Sequence, residues 1–156
     1  MKTHSRYAKK LNRKRVLICL VVFFALLPVF SYLHEAGHAL VCIADGNEAE
    51  ISVDFFSGGT TLCLGDVSNL FAYKISGGLL AGIIGTIIGI VLFRWKIPFI
   101  AITTIGVGHL VNAVIETFAD SYFTNSDEWS FVIGFIALVT FLGLLLIFDR
   151  KTVKLA

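Results

Sequence analysis

His34, Glu35 and His38 stand in the order HExxH, in full His34-Glu35-Ala36-Gly37-His38. On a helix, residues i and i+4 share a face about one turn apart. Two imidazoles so placed can reach one metal ion, and zinc accepts ring nitrogens at about 2.0–2.1 Å. Glu35 is then not a ligand. It stands beside the open coordination position, where it can take a proton from water. The surroundings sharpen the signal. Val16 to Leu33 carries no charged residue, and Ala39 to Ala44 is apolar again. Three ionisable groups in one turn would each cost roughly 2.5–3.5 kcal/mol at membrane depth without a partner. The plainer alternative is a chance HExxH whose imidazoles hydrogen-bond to neighbours, and the apolar setting weighs against it.

The elements that must carry this turn are long and apolar. Of 156 residues, 56% are hydrophobic and only 15% charged, against about 25% charged in an ordinary soluble domain. The apolar residues fall in runs of the length that crosses a bilayer, about 20 residues each. The expected fold class is therefore an all-α polytopic membrane protein with about four transmembrane helices and a small extracytoplasmic β-hairpin after the first. The lipid bilayer is its surroundings. The net charge of +2 comes with basic residues at the span flanks, so nucleic acid is not an expected partner.

In chain order, residues 1–15 form a basic cytoplasmic tail, suited to anchoring on anionic lipid. The following run is too long for a signal peptide, and it continues into HEAGH without a small-residue cleavage site. It is expected to be an uncleaved first span over residues 16–44, kinked at Pro28. Residues 16–148 then make one membrane-embedded domain, and residues 149–156 a second cytoplasmic tail. Between 45 and 73 lies an acidic polar stretch. Ile51 to Phe55 alternates, Ser57-Gly58-Gly59 signals a turn, and Thr60 to Leu64 suits a returning strand. This predicts a hairpin over about residues 50–65 against the metal-bearing end. Its edge strand either holds an extended peptide or merely plugs the bundle.

The second span, residues 75–93, repeats glycine at three- and four-residue spacing, a pattern that lets helices approach closely. The third, residues 99–118, carries His109, Asn112 and Glu116, with Asp120 just past its end. These offsets put all four on one stripe, which in a spanning helix faces the bundle interior or water. The fourth span covers residues 129–148. The three cysteines, Cys19, Cys42 and Cys63, show no metal-binding spacing, and their odd number argues against a disulfide framework. Cys19 and Cys42 read as buried thiols.

Twelve of the thirteen Lys and Arg lie in the two tails or the Arg94–Lys96 turn, with Lys74 alone elsewhere. By the positive-inside rule both termini are expected to be cytoplasmic, the membrane to be the plasma membrane, and the active site to face the extracytoplasmic side. His34 and His38 then share a depth with Glu116, Asp120 and Asp127, each within reach as a third ligand.

The chain resembles site-2-protease-type intramembrane zinc metalloproteases. The match rests on His34-Glu35-Ala36-Gly37-His38-Ala39-Leu40, the hairpin with Ser57-Gly58-Gly59, and the glycine-rich span opening Ser76-Gly77-Gly78-Leu79-Leu80-Ala81-Gly82. Most of the chain follows that order of elements, and HEAGH is the specific motif. The resemblance implies that an Asp at the start of a later span completes the zinc site. Asp127, 89 residues after His38 and immediately before the fourth span, fits that place. Its rival is Asp120, which has Asn112 eight residues ahead of it as the group often does. Neither is followed by the group's glycine.

The implied function is a zinc-dependent intramembrane endopeptidase acting on a transmembrane or membrane-adjacent protein substrate. Zn²⁺ would be held by His34, His38 and Asp127 or Asp120. Glu35 would be the general base, and Asn112 a hydrogen-bond donor to the substrate or its oxyanion. The alternative is a catalytically silent membrane subunit, or a metal-binding or assembly protein.

Overall fold

The computed structural model describes residues 7–54, 58–122, 124–148 and 150–154. Four helices dominate: α1 (Arg13–Ala44), α2 (Leu70–Val91), α3 (Lys96–Phe118) and α4 (Ser126–Phe148). All four are long and apolar enough to cross a membrane. Their outer faces carry exposed Leu, Ile, Val and Phe, among them Val21, Phe24, Ile87, Phe131 and Ile147. Soluble monomers rarely leave apolar patches so extensive.

Two short antiparallel pairs complete the chain. β1 (Tyr7–Leu11) pairs with β4 (Arg150–Lys154), so parts of both expected tails are ordered as strands. β2 (Ala49–Asp54) pairs with β3 (Gly58–Cys63) in the expected hairpin. Residues 55–57 of the turn lie outside the described residues. Gly58 enters β3 at φ 88°, a left-handed backbone that glycine adopts at little cost.

α2 is the central element and packs against both α1 and α3. The repeated small residues are the reason. Gly77, Gly78, Ala81, Gly82, Gly85 and Gly89 are all buried. At Gly85 a Cβ would come within 2.8 Å of the Gly106 Cα on α3. Without side chains between them the two backbones approach closely, which in lipid replaces the missing hydrophobic drive. α4 leans mainly on α3. It meets α1 where Cys19, Phe99, Ile100, Phe141 and Leu145 form a buried cluster.

The hairpin lies along the last two turns of α1. Residues i, i+2 and i+4 of a strand share a face. Accordingly Ala49, Ile51 and Val53 of β2 stand opposite Cys63, Thr61 and Gly59 of β3, while Glu50, Ser52, Thr60 and Leu62 turn outward. From Gly59 to Cys63 the strand advances about 13 Å, and from Glu35 to Cys42 the helix advances about 10 Å. The two lengths match well enough for β3 to touch α1 at both ends. At the far end Cys42 and Cys63 form a disulfide, with Cα atoms 5.8 Å apart. This corrects the expectation of unpaired thiols. The pairing depends on the hairpin folding back over α1, which cysteine spacing does not encode. The odd residue, Cys19, is buried near the opposite end of α1.

Candidate metal centre

His34 and His38 lie one turn apart on α1, and both rings face α2 and α3. Room for them comes from glycine. A Cβ on Gly77 would collide with the His38 ring and would lie 2.8 Å from the His34 carbonyl oxygen. α3 brings Glu116 to the same point from the other side. Its Oε2 lies 3.4 Å from His34 Nε2 and its Oε1 lies 3.4 Å from His38 Nε2, and the two Nε2 atoms are 3.1 Å apart. His34, Glu35, His38 and Glu116 are only 4–7% exposed.

These three side chains form the one group of His, Cys, Asp and Glu among the described residues that could hold a metal ion. The geometry fits such an ion. Ligand atoms at about 2.0–2.1 Å around a tetrahedral metal lie about 3.3 Å from one another. The lone-pair chemistry agrees. His38 Nδ1 is 2.7 Å from the Tyr73 carbonyl oxygen. A carbonyl only accepts, so the ring proton of a neutral His38 sits on Nδ1 and its Nε2 is bare. The Glu116 Oε2 atom is buried and makes no hydrogen bond. A carboxylate oxygen with no hydrogen-bond donor beside the bare His38 nitrogen is costly unless a proton or a cation joins them.

Glu35 projects from the same turn toward the hairpin. The Thr61 hydroxyl lies 2.8 Å from Glu35 Oε2 and 2.9 Å from the Glu35 backbone oxygen, with one proton to share between them. Tyr73 donates its hydroxyl proton to the Thr61 carbonyl at 3.3 Å. Gly59 sits so close to Glu35 that a Cβ there would come within 2.5 Å of its Cγ. The strand therefore holds the orientation of Glu35 beside the His–His–Glu group.

A cavity of about 560 Å³ opens from this point between α1, α3 and α4. Its polar end is lined by His34, Glu35, His109, Asn112 and Tyr122, and its remaining wall is mainly apolar. Asn112 accepts a hydrogen bond from the Tyr122 hydroxyl at 3.0 Å. Burial, reinforced by the negative charge of Glu116, pushes the Tyr122 phenol up to about 12, while its bond to Asn112 opposes that rise. Tyr122 therefore stays a neutral donor at the mouth of the cavity.

The expected stripe on α3 is present for three of its four members: His109, Asn112 and Glu116 all face inward. Asp120 does not. α3 ends at Phe118 and its cap Ala119 turns extended, so Asp120 leaves the helical face and is exposed, outside the ligand group. The side chain of Asp127, in the first turn of α4, lies outside the described residues. The structure brings Glu116 to the two imidazoles. It is the only acidic residue within α3, and a lone carboxylate at that depth was the available clue. Tyr73, Thr61 and Tyr122 gave no such clue, because their roles depend on contacts between distant segments.

Comparison with family models, with curated proteins and with solved structures finds no match to this chain.

Proposed function

We propose that this chain is a zinc-dependent membrane endopeptidase of the site-2-protease type, with His34, His38 and Glu116 as its metal ligands. The reading rests on one observation above the others. Two imidazole nitrogens 3.1 Å apart converge with a buried carboxylate whose two oxygens each lie 3.4 Å from one of them and whose Oε2 makes no hydrogen bond, at distances one metal ion could bridge. Two His and one Glu is a ligand set that suits zinc and leaves a fourth position for water. A zinc ion held there would supply Lewis acidity, lowering the pKa of a bound water toward about 7 and polarising a carbonyl oxygen.

The chain's own residues supply the rest. Glu35 accepts the proton of the attacking water and returns it to the leaving amine. Thr61 holds Glu35 in line. Asn112, whose Oδ1 accepts from the Tyr122 hydroxyl, keeps its amide N–H donors for a substrate carbonyl at the cavity or the negative charge that develops on it. The substrate is an extended, largely apolar stretch of a transmembrane or membrane-adjacent protein. A helix keeps its peptide carbonyls hydrogen-bonded, and a cylinder of about 10 Å does not fit a cavity of this size.

The test uses the full chain purified in detergent. The wild type is expected to retain one zinc and to cleave unfolded apolar peptides. Glu35→Gln should retain the zinc and lose activity by about 10²–10⁴-fold, the usual weight of a general base. Cleavage that survives Glu35→Gln, or a wild type that holds no zinc, refutes the reading. The close packing of Gly59 on Glu35 favours one second reading, a metal-holding but catalytically silent membrane subunit whose hairpin seals the site. Zinc bound by the wild type, with no peptide cut even after the hairpin is released, supports that reading instead.

A further inference from the structure

His34 and His38 differ in what holds the ring nitrogen turned away from Glu116. For His38 it is the Tyr73 carbonyl, which fixes the ring proton on Nδ1. For His34 no carbonyl or carboxylate does this among the described contacts. Its Nδ1 instead lies 3.3 Å from Nδ1 of His109 on α3. The two rings are 5.3 Å apart and tilted by 39°.

Two facing imidazole nitrogens form one hydrogen bond when one of them carries a proton and the other does not. If a neutral His34 kept its proton on Nε2, that proton would sit among His38 Nε2 and Glu116, where the cation belongs. We infer that His109 is a positioning residue for the metal centre. It is a neutral imidazole protonated on Nε2, whose bare Nδ1 accepts from His34 Nδ1–H and so keeps His34 Nε2 free to bind metal. This rests on the metal-site reading above.

The surroundings of His109 suit that task. Its ring stacks on Phe30 of α1, with centroids 6.1 Å apart and planes 24° apart. Its backbone is pressed against α2, where a Cβ on Gly78 would come within 2.5 Å of the His109 carbonyl oxygen. Helix α3 thus provides a ligand, Glu116, and two turns earlier the residue that orients another ligand. Residues that orient metal-bound histidines are most often carboxylates or carbonyls. A neutral imidazole pulls less on the ligand's proton, so His34 gives less electron density to the cation and leaves it a stronger Lewis acid. His109 also lines the cavity, so activity alone would confuse this role with a substrate contact.

Zinc affinity in the absence of substrate separates the two. The full chain in detergent is titrated against a zinc chelator as wild type, His109→Phe, His109→Gln and Glu116→Gln. His109→Phe keeps an aromatic ring on Phe30 and removes the acceptor. It should weaken zinc binding about 10- to 100-fold, and His109→Gln, whose amide oxygen can accept, should recover most of that loss. If His109→Phe binds zinc like the wild type while Glu116→Gln does not, the inference fails and the metal centre stands. If the wild type binds no zinc, both fail. Should His109→Phe not fold, nitrogen NMR of the histidine-labelled, zinc-loaded wild type decides. His109 protonated on Nε2 supports the inference, and His109 protonated on Nδ1 overturns it.

Discussion

A HExxH turn names its own chemistry, but the residues that tune it are chosen by the fold. Thr61 is an ordinary strand residue until the hairpin brings its hydroxyl to 2.8 Å from Glu35 Oε2. Replacing it with Val keeps the shape and removes the donor. Hydrogen bonds to charged groups contribute about 1.5–3 kcal/mol. We expect Thr61→Val to lower kcat by about tenfold with zinc content unchanged, read from initial rates and metal analysis of one preparation. Tyr122 offers a pH signature. Its phenol titrates near 12 in the folded chain, above the ordinary value of 10.0, chiefly because it is buried. Between those values the unfolded chain has lost the proton and the folded chain has kept it, so stability falls as pH rises. The contribution is complete below about pH 10 and gone above about pH 12. Tyr122→Phe should flatten this alkaline decline in melting temperature, and an unchanged decline would show that Tyr122 does not titrate there. His34, Glu35 and His38 were legible in the sequence because their spacing alone carries the meaning. Glu116 was legible only as one of three acids at a shared depth. Choosing it required knowing that α3 ends before Asp120.

At the level of elements, two close contacts decide whether the site exists. The first is α2 against α1. Gly77 leaves the His38 ring its space, and a methyl group there would strike the ring. Gly77→Ala is expected to reduce zinc affinity at least tenfold while the helical circular dichroism signal persists, because backbone on both sides leaves little room to shift. Equal zinc affinity in the two proteins would mean that the helices separate readily. The second contact is β3 on α1, tied at one end by Cys42–Cys63 and seated at the other on Glu35. Closing a loop of this length removes about 3 kcal/mol of unfolded-chain entropy in the loop-closure model. Reduction, or Cys63→Ser, should therefore lower the melting temperature and expose the segment between Gly58 and Cys63 to added protease, while His34, His38 and Glu116 still hold zinc. The hairpin itself was legible, since Ile51, Val53 and the glycine turn follow strand rules. Its disulfide was not, because a separation of 21 residues carries no signal until β3 is laid along the final turns of α1.

For the whole molecule, we propose one orientation in the membrane, and two independent features argue for it. Lys and Arg cluster in the tails and the Arg94–Lys96 turn, and such residues remain on the cytoplasmic side. The hairpin joins the opposite ends of α1 and α2, and it carries the Cys42–Cys63 bond. Disulfides persist in oxidising compartments and are rare in the cytosol, so redox chemistry favours the same proposed arrangement without counting charges. Four helices among the described residues are long and apolar enough to span; if all four cross, the chain returns to the side where it began, and β1 pairing with β4 fits such a return. In the orientation we propose, the His–His–Glu group would lie toward the outer side, at the polar end of the cavity between α1, α3 and α4. This predicts a specific labelling pattern in intact cells. A cysteine placed at Glu50, on the outward face of β2, should react with a membrane-impermeant maleimide added outside. A cysteine placed at Lys96 should react only after the membrane is permeabilised. The experiment needs Cys19→Ala and an intact Cys42–Cys63 bond as background, so that the introduced thiol is the one available. The reverse pattern would place the hairpin in the cytoplasm. It would remove the redox argument for the disulfide and turn the candidate site toward substrates on the other side of the membrane.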